Sequence, residues 1–266
     1  MGALDRQVAV VTGAAMGLGR HYALALAREG CALVLCDVCD QVFDTAREAH
    51  GLGTQAIAFL ADVADPRDVR RVVDDGARAF GRIDVLINNA GVMRAGTASD
   101  DLDKSLDDYD TLVGVNLKGV FMFGRAVIPH MLSAGGGNII NVATDHIHTH
   151  PGRPTGGREA RMDLYDATKW GVLGLTVAWA KELKPHNIRV NSFSMGATDT
   201  PMIRAFFNSP TAEQIAAWMS PEEVCGLAVQ LLGEGPAGRT GENIGCWLGF
   251  ELELKPNPRP KAVVQP

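Results

Sequence analysis

The chain has 266 residues, 46% of them hydrophobic, enough to bury the core of one large α/β domain or of two small ones, and one domain is expected over 1–252. Its 25 basic and 31 acidic residues give a net charge of −6 without a long basic block, which argues against a groove that tracks nucleic-acid phosphates. No apolar run approaches the ~20 residues of a membrane helix, the start MGALDRQVAVVTG carries Asp5 and no cleavage-like region, and five cysteines are an odd number, so a soluble, cytoplasmic protein without a disulfide framework is expected.

Short apolar runs alternate with longer amphipathic ones, the pattern of βαβ units in a parallel sheet covered on both faces. Strands are predicted at 8–12, 32–36, 55–60, 85–88, 138–143, 188–193 and 243–248, with helices between them. The first unit, VAVVTGAAMGLGRHYALALAREG, places Gly13, Met16, Gly17, Leu18 and Gly19 in a G-x-x-x-G-x-G turn between strand and helix. Glycines let such a turn approach a pyrophosphate closely, and the helix start offers free N–H groups and the positive end of the helix dipole. A tight βα turn is the plainer reading of the same residues.

Asp37 ends the second apolar run, eighteen residues after Gly19, where a carboxylate can accept hydrogen bonds from ribose hydroxyls. It favours NAD over NADP, because it would repel a 2′-phosphate and Ala14, Ala15 and Val38 supply no cation. Cys36 and Cys39 form a lone C-x-x-C with no second pair, and structural cysteines are the preferred reading over zinc or redox chemistry. Asp65-Pro66 and Ser220-Pro221 mark helix starts, and Gly30 marks a helix end.

Farther along, NIINVATDHIHTH reads as a buried strand that runs into histidines 146, 148 and 150. They would share one side if the strand continued, as zinc or copper binding requires, but nearby Gly and Pro oppose that continuation; pocket lining or loop hydrogen bonding is preferred, and no metal is expected. Twenty residues then separate Thr144 from Tyr165, and PGRPTGG within them predicts a loop at 145–164 rather than an extra helix. Arg153, Arg158 and Arg161 could hold an acidic substrate, although a solvated loop paired to Glu159 and Asp163 is the plainer alternative. The Phe- and Trp-rich stretch at 197–219 suggests a lid, with a core-packed helix pair as the alternative, and the proline-rich tail at 253–266 should lack regular structure or drape over a neighbouring subunit.

NNAG at 88–91, VNLKG at 115–119 and YDATK at 165–169, in order behind the glycine-rich turn, resemble the short-chain dehydrogenase/reductase family from about Gln7 to Gly249. The resemblance implies a Rossmann-type, doubly wound, seven-stranded parallel sheet, a nicotinamide cofactor and a homodimer or homotetramer. It also implies that Asp62, Val63, Asn89, Ala90 and Gly91 border the cofactor, that Thr198 and Thr200 reach its carboxamide, and that Asn116 supports a proton relay. Tyr165 and Lys169, four residues apart, share a helix face, so the ammonium should lower the phenol pKa and let Tyr165 act as general acid/base.

Two positions depart from the family pattern. Thr144 stands where it has a catalytic serine, keeping the hydroxyl, with His146 as the reserve donor. Met195-Gly196 replaces a proline-glycine, with Gly196 keeping a permissive backbone position. Met93, Met195, Met202, Phe206, Phe207 and Trp218 would favour a secondary, hydrophobic alcohol, a cyclic one included, as the small-molecule substrate, with its ketone as product. The rival reading is a nucleotide-binding regulatory or interaction protein that has lost turnover; intact Asn116, Tyr165 and Lys169 oppose it.

Overall fold

The Val- and Leu-rich runs pair into seven parallel strands: β1 (Val8–Thr12), β2 (Ala32–Asp37), β3 (Ala56–Leu60), β4 (Val85–Asn88), β5 (Gly137–Val142), β6 (Ile188–Met195) and β7 (Asn243–Cys246). This computed structural model describes residues 2, 4–147, 161–247 and 254. The sheet order is β3-β2-β1-β4-β5-β6-β7, with Val10 opposite Val34 on one side and Leu86 on the other. Chain order reverses between β1 and β4, so a crevice opens beyond their carboxyl ends, the usual ligand position in such sheets. Strand boundaries lie within two residues of those expected; the main differences are β6 running on to Met195 and β7 stopping at Cys246.

Both sheet faces are buried, as parallel strands require. Ala9, Val11, Leu33 and Leu35 pack beneath α1 (Gly17–Arg28), α2 (Val42–Gly51) and α9 (Pro221–Leu232). Val8, Val10, Val34 and Cys36 face the other way, towards α3 (Pro66–Phe80), α5 (Val120–Ala134) and α6 (Asp163–Leu183). The helix starts behave as the sequence suggests: Asp65 Oδ1 accepts from the Arg67 N–H (2.8 Å), and Ser220 and Glu223 form a reciprocal capping box.

One expectation needs correction. Helix α4 (Leu102–Leu112) runs through a π-helical segment, Val113–Gly119, into α5, and the continuous helix Leu102–Ala134 is long and apolar enough to cross a membrane by length and composition. In the fold its Phe123, Val127 and Met131 are buried against the sheet. Tyr, Lys and Asp side chains interrupt the stretch, which hides its length from a search for unbroken apolar runs.

The five cysteines are free thiols, and Cys36 and Cys39 do not bond. Of the proline-rich tail only Leu254 is described, packed against the core; the remainder lies outside the described residues.

Candidate active site

At the carboxyl ends of β1, β2, β4, β5 and β6 lies a cavity of about 820 Å³. That is near the top of the usual ~300–1,000 Å³ for ligand pockets. Gly13, Met16, Gly17, Leu18, Asp37, Asp62, Val63, Asn89, Ala90, Gly91, Thr144, Tyr165, Lys169, Thr198 and Thr200 all line it. So do Met93, His146, Met195, Met202, Phe206 and Phe207, whereas Gly19, Asn116 and Trp218 do not.

Gly19 works from behind the wall. A Cβ there would come 1.8 Å from the Gly13 carbonyl oxygen, so only glycine lets α1 start this close to the turn. Gly13 itself has φ +66°, and its added Cβ would meet Ala90 Cα at 2.8 Å. Asn89 closes the junction, its Nδ2 donating to the carbonyls of Thr12 (3.0 Å) and Gly13 (3.1 Å), while Thr12 Oγ1 accepts from the Asn89 and Ala90 amides. Helix α1 has no capping side chain at Met16 and no acid in its first turn, and its first residues, Gly17 and Leu18, line the cavity. Asp37 is fixed nearby: its oxygens accept from Ala15 N–H (2.9 Å) and Cys39 N–H (3.0 Å).

The opposite end is built from β5 and α6. Asn88 Nδ2 donates to Asn141 Oδ1 (2.9 Å), Asn141 Nδ2 to Thr176 Oγ1 (2.9 Å), and Lys169 Nζ to the Val142 carbonyl (2.9 Å). This buried chain holds Thr144, just past β5, beside Tyr165 in the first turn of α6. Lys169 Nζ lies 5.6 Å from the Tyr165 ring centre. Burial lowers the Lys169 pKa to about 8.

The phenol behaves differently from the sequence expectation. Burial raises the Tyr165 pKa well above the tyrosine range, Asp166 and Asp145 raise it further, and a hydrogen bond with Thr144 opposes them. Lys169 is turned to the Val142 carbonyl.

Asn116 is fully buried in the π segment. Its Nδ2 donates to the Val92 carbonyl (2.9 Å) and its Oδ1 accepts from the Val92 N–H (2.8 Å), which ties the π segment to the chain after β4. Gly91 lies between it and the lysine, since a Cβ there would be 3.3 Å from Asn116 Oδ1 and 3.7 Å from Lys169 Nζ.

The loop after β5 is a 3₁₀ turn at Asp145–Ile147, and β5 itself ends at Val142, so His146 is not on an extended strand. His148, His150, Arg153, Arg158 and Glu159 lie outside the described residues. Arg161 lines the cavity, and its carbonyl accepts from Gly96 N–H (2.8 Å). Gly196 is required for space and not for a positive φ: its Cβ would meet Trp247 Cβ at 2.9 Å and Asp145 Oδ2 at 3.2 Å.

Residues 198–219 leave and return through a bridge, with Asp199 N–H donating to Met219 O and Met219 N–H to Ala197 O. Within this excursion α7 (Pro201–Phe207) and α8 (Ala212–Ala216) have no buried residues, which removes the core-packed alternative. Thr200 caps α7 through Ile203 N–H, Thr198 Oγ1 donates to the Gly196 carbonyl, and Trp218, which does not line the cavity, meets Phe207 at a tilt of 44° with ring centroids 5.4 Å apart. Val38, Met162 and Ile203 also line the cavity, without any motif to announce them; Asp145, buried beside Thr144, was signalled only by its neighbour.

Residues 7–210 match the short chain dehydrogenase family, and the chain belongs to it. It is 33% identical over 249 residues to the 3-oxoacyl-(acyl-carrier-protein) reductase FabG of Thermotoga maritima, across 91% of this chain and 96% of that one. Two solved relatives share the fold: a short chain dehydrogenase of Burkholderia cenocepacia in complex with NADP (TM-score 0.79, 31% identity, 92% of this chain and 97% of that one) and one of Mycobacterium paratuberculosis bound to NAD (TM-score 0.78, 28%, 92% and 97%). The chain is therefore an oxidoreductase of this family with its seven-stranded Rossmann-type sheet.

Proposed function

We propose that the protein is an NAD-dependent dehydrogenase that interconverts a secondary, hydrophobic alcohol and its ketone. The observation that carries this reading is the meeting, in one cavity, of a helix start without a side-chain cap and Asp37 at one end with Thr144, Tyr165 and Lys169 at the other. The residues fit a dinucleotide: the Gly13–Gly19 contact keeps the turn open to a pyrophosphate, and the fixed Asp37 carboxylate suits two ribose hydroxyls and repels a 2′-phosphate. Asp62, Val63, Asn89, Ala90 and Gly91 would border it, with Thr198 and Thr200 near its far end. When bound, the nicotinamide accepts or supplies the hydride.

The chain's own residues handle the proton. Tyr165 takes it from the alcohol hydroxyl during oxidation and returns it to the carbonyl oxygen during reduction, while the Thr144 hydroxyl hydrogen-bonds that oxygen. Burial and the neighbouring carboxylates raise the phenol, and positive charge from Lys169, with that of the oxidised nicotinamide when bound, would favour phenolate against them. Asn116 holds the Val92 backbone beside Lys169 and serves the proton path from there. Met93, Met195, Met202 and Phe206 present an apolar, adaptable wall, which supports a hydrophobic alcohol, and α7 with α8 forms the lid.

Exposed Leu102, Leu106, Tyr109 and Phe121 on the long helix, beside Trp170 and Val177 on α6, support self-association into a dimer or tetramer. The free thiols suit a cytoplasmic setting.

A panel of cyclic and acyclic secondary alcohols with NAD, followed by absorbance of the reduced cofactor, tests the reading. Turnover should fall by at least ~10²-fold in Tyr165→Phe. Wild-type rates no higher than those of Tyr165→Phe on every alcohol and ketone tried would instead support the turnover-deficient regulatory alternative.

A further inference from the structure

Tyr165 occupies a weak place in the helix that carries it. It is the third residue of α6, whose N-cap, Met162, makes no side-chain capping bond, while the Asp163 carboxylate accepts from the adjacent Leu164 N–H (2.7 Å). First turns lacking a cap tend to fray. The deep ties to β5, Lys169 to the Val142 carbonyl and Thr176 to Asn141, lie one and three turns farther along the helix. They anchor the body of α6 and leave its start to other contacts.

His146 supplies one. Its Nδ1 lies 2.8 Å from Asp166 Oδ1, a distance at which the ring N–H donates to the carboxylate, and the ring side chain is only 16% exposed. The ring meets Tyr165 edge-on, with centroids 6.3 Å apart and planes at 71°. On its main-chain side, His146 N–H points to Thr144 Oγ1 at 3.4 Å. One residue therefore touches the hydroxyl at one end of the twenty-residue interval between Thr144 and Tyr165 and the helix turn at the other. Its other ring nitrogen is 3.9 Å from Asp145 Oδ1, so the imidazole contacts both carboxylates that raise the phenol.

We propose that His146 and Asp166 form a positioning pair that clamps the first turn of α6 to the 3₁₀ turn after β5 and thereby holds Tyr165 against Thr144. The clamp rests on the reading of Thr144 and Tyr165 as the reacting end. It explains how two groups twenty residues apart in the chain keep a fixed separation: the pair ties the segments that carry them directly to each other.

The test uses the full-length protein in two measurements. Amide hydrogen exchange, which needs no substrate, should show residues 163–168 exchanging at least ~tenfold faster in His146→Ala and in Asp166→Ala. With NAD and the fastest alcohol of the panel, kcat should fall about tenfold in each variant with KM within about threefold. The double variant should be no slower than either single one. His146→Asn, whose amide can still donate towards Asp166, should recover most of both losses. Unchanged exchange at 163–168 overturns the clamp, as does faster exchange with kcat within twofold of wild type, or a double variant whose loss is the product of the single losses. Absence of Tyr165-dependent turnover in the wild type would defeat the dehydrogenase reading instead, and the exchange result would still decide the clamp.

Discussion

The two ends of the cavity are built on opposite plans. At the glycine-rich turn, backbone meets backbone: the turn, Asn89 and Thr12 interlock through four hydrogen bonds, and Gly13 and Gly19 leave no room even for a methyl group. On the lid side the wall is Met202, Ile203, Phe206 and Phe207 on a short helix with no buried residue, tied to the body by a bridge at its base. The difference teaches that precision and adaptability come from different materials. Close backbone contacts admit one geometry, whereas flexible thioethers and half-exposed rings can repack around different apolar ligands.

The sharpest way to break this comparison is Gly19→Ala. The added methyl must displace the Gly13 carbonyl or the Asn89 amide. Affinity for NAD, followed by titration calorimetry, should fall on the order of a hundredfold. A change under threefold would show the turn to be as yielding as the lid. Next, Thr144→Ala should lower kcat by more than about tenfold, while Thr144→Ser stays within about threefold of wild type. Equal rates for wild type and the alanine variant would move the hydroxyl's role to another donor.

Asp37→Ala should shrink the preference for NAD over NADP by about tenfold, read as the ratio of kcat/KM values. A constant ratio would remove the ribose argument. The smallest effect concerns Lys169, at the seam of the two ends. Its folded pKa of about 8 lies below the ordinary 10.5, so the folded chain binds fewer protons than the unfolded one between those values. The resulting penalty on stability is full below pH 8 and fades as pH rises towards 10.5. Lys169→Met should therefore melt higher than wild type at pH 7, on the order of a few degrees, with the gap narrowing from pH 8 to 10.5. A gap independent of pH would contradict the burial argument.

Much of this was legible before any fold was seen. Period and turn residues placed all seven strands, because parallel strands buried on both faces must be apolar throughout. The glycine spacing, Asp37, and the Tyr165–Lys169 interval point to the cavity because each is local: one turn, one strand end, one helix face. Tertiary structure alone decided which way Lys169 turns, what raises Tyr165, why Gly196 must lack a side chain, and that Asn141 links β4 to α6. It also brought Asp145, His146 and Asp166 together around the phenol. These properties depend on burial and on charges contributed by segments distant in the chain. A sequence specifies which groups are present and their local spacing, but desolvation and Coulomb interactions depend on distances that only packing sets.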